Sequence, residues 1–153
     1  MNKKGFTLIE LLVVIAIIGL LSTLAVVALS SAREKARDSK RLSDLKQIQT
    51  ALELYYTDNS AYPVSAGLQL GGADTSDCLD DTTAGFSGAC AAAPTATYMG
   101  LVPSDPLNTD TNVYTYTSVE FSNAYTITAV LEGEVGTLSD AITASQSGII
   151  KTP

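Results

Sequence analysis

Glu10 stands at the head of a run, Leu11 to Ala32, in which no residue carries a charge. A carboxylate deep in a membrane helix costs roughly 2.5 to 3.5 kcal/mol on insertion scales, so Glu10 either sits shallow enough to snorkel toward headgroups or needs a cation at the same depth. The nearest source of one is a new amino terminus made by cutting the chain just before Phe6, after Gly5. That chemistry is done to the chain rather than by it. Elsewhere the sequence has no His and no Trp, and only two Cys, Cys78 and Cys90. Without His, the usual general base near neutral pH and the commonest metal ligand are both missing, which argues against an enzyme and against zinc. Acidic residues at Glu132, Glu134 and Asp140, or at Asp105 and Asp110, supply oxygens of the kind calcium takes. They show no liganding pattern, so the sequence assigns no metal residue and solvated acidic loops are the expectation.

The element that positions Glu10 is a helix. About 20 apolar residues at 1.5 Å each cross the hydrocarbon core, and Leu11 to Ala32 is long enough. A secretory signal peptide cut after Ala32 fits less well, because the apolar run is too long and Glu10 interrupts it near its start. Arg33 to Tyr56 contains no Gly or Pro and is rich in good helix formers, so the helix is expected to continue. Leu42, Leu45, Ile48, Leu52 and Tyr55 fall on one face, suited to packing on a sheet. Glu34 with Arg37, and Arg41 with Asp44, have the spacing of a solvated or subunit-facing side. Turn formers from Thr57 to Ala61, then Tyr62-Pro63, end the helix.

Charge is strongly divided. Eight of nine basic residues lie at or before Lys46, whereas twelve acidic residues and only Lys151 follow. Such a C-terminal part repels phosphate backbones, so it is not expected to bind nucleic acid.

A short basic leader ending in Gly, then Phe-Thr-Leu-Ile-Glu opening an apolar helix, is present at Gly5 to Glu10 without a substitution. Here the chain resembles the type IV pilins and the pseudopilins of type II secretion. The resemblance implies cleavage after Gly5 by a prepilin peptidase, N-methylation of Phe6, and pairing of Glu10 with the Phe6 amine of a neighbouring subunit. It further implies a structural subunit of a type IV pilus or a type II secretion pseudopilus. Its partners would be copies of itself, related minor pilins, the inner-membrane assembly platform and membrane lipid. The implied location is a single-pass inner-membrane anchor with an extracytoplasmic head. The positive-inside rule alone points the other way, with Lys3 and Lys4 before the span and Arg33, Lys35, Arg37, Lys40 and Arg41 after it. Major pseudopilins bind calcium in a sheet-connecting loop; no other cofactor is expected. A membrane-anchored binding or adhesion module presenting Tyr98, Tyr114 and Tyr116 is the alternative.

The implied fold is α+β, one long helix on a small antiparallel sheet of about three strands. The expected division is a leader at 1–5, a transmembrane half-helix at 6–32, and a head at 33–153. Within the head the helix runs over 33–57, a loop over 58–112 and the sheet over 113–150. Ser65 to Thr97 is dense in small and polar residues and reads as surface loop. In an exported head Cys78 and Cys90 are expected to join as a disulfide. Tyr98 to Pro106 resembles the pseudopilin segment that precedes the sheet. Val113 to Val119 and Tyr125 to Leu131 alternate as strands of a hairpin turning at Phe121 to Ala124, with a weaker third strand within Ala141 to Ile150.

Overall fold

A computed structural model describes residues 5–72, 76–82, 85–90, 94, 96–109, 111–119 and 123–152. The chain divides into two compact units, 1–34 and 35–153. One α-helix, α1 (Leu8–Asn59), contributes to both. In the first unit every described residue up to Arg33 is exposed, and an 18-residue window of the helix reaches a mean hydropathy of 2.9. This part of α1 is long and apolar enough to cross a membrane.

The second unit is an α+β layer pair built on Lys35 onward. Leu45, Ile48, Leu52 and Tyr55 are buried and Leu42 is half-buried, so the apolar stripe faces the core as its spacing requires. The helix runs to Asn59, two residues past Thr57, because side chains take up the last carbonyls. Thr57 Oγ1 donates to Glu53 O at 2.8 Å and Asn59 Nδ2 to Tyr55 O at 3.0 Å. Ser60 then adopts a left-handed conformation (φ 56°) and its N–H donates to Tyr56 O at 2.7 Å, which closes the helix end.

The larger sheet has five antiparallel strands where about three were expected. They are β1 (Ser65–Gln69), β5 (Thr115–Ser118), β6 (Tyr125–Val135), β7 (Leu138–Ser145) and β8 (Gly148–Lys151), in the order β1-β5-β6-β7-β8. β5 and β6 pair as the alternation predicts, with Tyr116 opposite Ile127; Phe121 and Ser122 of the expected turn lie outside the described residues. The single strand expected within Ala141 to Ile150 is two, β7 and β8, because Gln146-Ser147 makes a tight turn and Gly148 follows at φ 128°. On β6, Tyr125, Ile127, Ala129 and Leu131 point inward while Thr126, Thr128 and Val130 point out. Each fully buried large side chain contributes about 1.5 to 3 kcal/mol.

The stretch read as loop from Ser65 to Thr97 carries β1 and a second sheet, β3-β2-β4, made of β2 (Cys78–Asp80), β3 (Phe86–Ser87) and β4 (Thr97–Met99). These strands are two to five residues long, too short for alternation to register in a sequence of Ala, Ser, Gly and Thr. Their burial comes from isolated apolar side chains: Leu70, Leu79 and Phe86 are all in the core. Phe86 meets Tyr116 edge-on at 5.0 Å, joining the small sheet to the large one.

Candidate functional site: the N-terminal segment and the charged anchor of the head

Gly5, Phe6 and Glu10 lie together on the exposed opening of α1, with Phe6 82% exposed. Thr7 is the N-cap that positions them. Its N–H donates to Glu10 Oε2 at 2.8 Å, its hydroxyl donates to the same oxygen at 2.7 Å, and the Glu10 N–H donates to Thr7 Oγ1 at 3.3 Å. This is a reciprocal capping box, in which the carboxylate satisfies an N–H that the helix leaves unpaired. The role of Thr7 was missed from the sequence, although the Thr-x-x-Glu spacing signals it. Lys3 and Lys4 of the leader lie outside the described residues.

A second charged constellation lies in the second unit, and here the expected solvated or subunit-facing side is corrected at Arg41 and Asp44, which are buried within the chain. Arg41 is fully buried, with Asp38 and Asp44 also buried. Arg41 Nε and Nη2 donate to Asp105 Oδ2 and Oδ1 at 2.7 and 2.9 Å, a bidentate pair. Its Nη1 donates to Asp38 Oδ1 at 2.7 Å and Glu132 Oε1 at 2.6 Å. Arg37, which spacing paired with Glu34, instead grips Glu132 from the rim. Asp44 is separate from Arg41: it accepts the Tyr114 hydroxyl at 3.2 Å.

The sheet bends to meet this cluster. Between Val130 and Glu134 the register of β6 on β7 slips, which frees the N–H groups of Glu132 and Gly133 to donate to Asp38 at 3.0 and 2.9 Å. One arginine thus ties α1, the Asp105-Pro106 segment and β6 together. The Asp105 carboxylate also accepts the Leu107 N–H at 2.9 Å, which sets the turn after Pro106.

Electrostatics follow from this packing. Burial opposes the Arg41 charge, but hydrogen bonds to Asp105, Glu132 and Asp38 outweigh it and raise its pKa. The Arg37 hydrogen bond, helped by Arg41 and opposed by burial, lowers the Glu132 carboxyl to about 2. Burial raises the Asp44 carboxyl, against the Tyr114 hydrogen bond.

Of the acids that supply oxygens suitable for calcium, Asp105 and Glu132 therefore face arginine, and Asp140 pairs with Lys151 at 3.2 Å. Asp110 lies outside the described residues. Among the described residues no group of three or more His, Cys, Asp or Glu is arranged to hold a metal ion. Cys78 and Cys90 are joined as a disulfide with their Cα atoms 5.1 Å apart. Tyr114 and Tyr116 are core residues rather than a surface platform, and Tyr98 donates its hydroxyl to Asp58 at 3.0 Å.

The family model for the prokaryotic N-terminal methylation motif matches residues 1–26. The chain is 47% identical over 69 residues to the type II secretion system core protein G of Klebsiella pneumoniae, covering 44% of this chain and 49% of that protein. It is 44% identical over 64 residues to the protein of the same name from Escherichia coli K12, covering 42% and 44%. For that of Vibrio cholerae the identity is 41% over 64 residues, with the same coverage. The chain thus spans at most about half the length of these relatives, and no solved structure matches it significantly. The Thr7–Glu10 cap and the start of the exposed apolar helix lie within the residues that match the N-terminal methylation motif, and over less than half of its length the chain is similar to type II secretion system core protein G.

Proposed function

We propose that the chain is a structural filament subunit, not an enzyme. It is cleaved after Gly5, N-methylated at Phe6, and polymerises into a type II secretion pseudopilus or a type IV pilus. The observation that carries this reading is the unbroken Gly5 to Glu10 motif at the head of an exposed apolar helix. The names of the relatives favour the pseudopilus. In this reading the anchor sits in the inner membrane, the head is exported, and each Glu10 meets the Phe6 amine of the adjoining copy. Attraction between those charges grows as lipid and protein exclude water. Partners are copies of the chain, related minor pilins, a prepilin peptidase and the assembly platform.

The test is intact-mass analysis of membrane-extracted protein alongside sedimentation of sheared filaments. The reading expects a chain beginning at a methylated Phe6, and leader retention when Gly5 is replaced by a bulky residue. An N-terminus at Met1 or Arg33 in the wild-type protein overturns it. Burial of Tyr114 and Tyr116 removes the platform on which the anchored adhesion module rested.

A further inference from the structure

Within the second unit, the side of α1 turned away from the sheet is exposed from Lys35 to Asp58 and carries its charges in two blocks. Lys40 and Lys46 stand toward one end, Glu53 and Asp58 toward the other. None of the four forms a salt bridge among the described residues; Lys40 does feel the buried Asp44 one turn on. The two carboxylates are nevertheless held in place. Glu53 Oε1 accepts the Tyr62 hydroxyl at 2.9 Å, and Asp58 Oδ2 accepts the Tyr98 hydroxyl at 3.0 Å. Asp58 also lies in the last turn of α1, where no basic residue offsets the negative end of the helix dipole. Acids fixed there favour a cation from outside the chain.

The spacing selects the source of that cation. Lys40 precedes Glu53 by 13 residues and Lys46 precedes Asp58 by 12, so one parallel copy of the helix displaced by about 18 to 20 Å brings both lysines level with both acids. At about 3.6 residues per turn, the members of each pair lie on opposite edges of the exposed face. Opposite edges are what meet when parallel helices pack face to face. The same displacement sets Leu54, 54% exposed, over the gap between the exposed Ser39 and Ser43, a large side chain entering a hollow left by small ones. A nucleic acid or an anionic lipid surface answers the lysines alone and leaves Glu53, Asp58 and Leu54 without a match. We infer that this face docks against a second copy of the chain, parallel and shifted by about 18 to 20 Å, with Lys40 on Glu53 and Lys46 on Asp58. The inference rests on the filament reading, since subunits anchored in one membrane run parallel.

Sheared filaments of the full chain are treated with a zero-length carbodiimide and the links mapped by mass spectrometry. Lys40 and Glu53 of one chain are about 20 Å apart along the helix, and Lys46 and Asp58 about 18 Å, so a link within either pair joins two copies. Both links are expected. Lys40→Glu with Lys46→Glu should lower sedimentable polymer about fivefold or more at unchanged leader cleavage and melting temperature, and adding Glu53→Lys and Asp58→Lys should restore it. Lys40→Ala with Lys46→Ala, which adds no repulsion within the chain, should lower it in the same direction by less. Wild-type polymer yield from the two lysine reversals overturns the proposal, as does a folded fourfold variant that fails to recover. Wild-type polymer in which Lys40 and Lys46 link to other acids counts against this contact alone. A cleaved wild-type chain that yields no polymer counts against the filament reading and removes this contact with it.

Discussion

α1 carries charge in two contrasting ways. At its start, Glu10 is exposed on an apolar segment, and its described hydrogen bonds are to Thr7, three residues away. In the head, Arg41 is fully buried and its partners Asp105 and Glu132 come from 64 and 91 residues away. The first arrangement is local and leaves a carboxylate accessible to another chain. The second is long-range and closes on itself, so its charges hold the head together rather than recruit a neighbour. The difference teaches that a lone charge on an unpacked helix is a candidate for assembly, whereas a saturated cluster is a fastener.

Breaking the first arrangement should have the largest effect. Glu10→Val is expected to leave leader cleavage intact and to favour membrane insertion by about 2.5 to 3.5 kcal/mol, yet to remove most sedimentable filament. A cleavage blot beside a shear assay checks this; full filament yield from correctly cleaved Glu10→Val protein would show that Glu10 is a passenger.

Next in size is the fastener. Arg41→Ala leaves Asp38, Asp105 and Glu132 facing one another without their common cation, and should destabilise the head by about 3 to 5 kcal/mol. Denaturant unfolding of the full chain in micelles measures it. A sharper version is Arg41→Met combined with Asp105→Leu, which removes cation and anion together and should recover part of the loss. If Arg41→Ala unfolds like wild type, the cluster is not what secures β6 to the helix.

The disulfide should matter less. Cys78 and Cys90 are 12 residues apart, and a link of that length contributes up to about 3 kcal/mol in the chain-entropy model. Cys78→Ser is expected to lower the melting temperature without preventing export. Nonreducing peptide mapping that finds both thiols free to alkylate would contradict the premise.

The smallest effect is one of pH. Glu132 is held at about 2 against an ordinary 4.5, so its folded form binds a proton less readily than its unfolded form. Its contribution to stability is therefore complete above pH 4.5 and is lost as pH falls from there through 2. Glu132→Gln should flatten that part of the acid-unfolding curve and leave the neutral region of the pH profile flat. An unchanged acid limb would place the acid sensitivity elsewhere.

Local patterns made much of this protein legible in the sequence. Contiguous apolarity from Leu11, the Gly5-Phe6 motif, the Leu42 to Tyr55 stripe and the alternation of Tyr125 to Leu131 all act over a few residues. The apolar run and the stripe map onto α1 and the alternation onto β6, while the Gly5-Phe6 motif lies just before α1. The capping spacing of Thr7 and Glu10 was equally local. What spacing could not supply was the partner of Arg41. Its neighbour Asp44 lies three residues away and so invited a surface pair, whereas the guanidinium turns inward to Asp105 and Glu132. That choice depends on the slip in β6 and on where the Asp105-Pro106 segment crosses the helix. Both are set by packing between residues far apart in the chain. The short strands β1 to β4 escaped notice for the same reason: two to five residues hold too little periodic signal, and they form because Leu70, Leu79 and Phe86 find a core already built by α1 and β6. Sequence alone determined the helix, its anchor-like start and the Gly5 to Glu10 motif, since these rest on nearest-neighbour chemistry. Only the tertiary structure decided which charges are buried and which remain available, because burial is a property of the surfaces that meet and not of the residues that carry the charge.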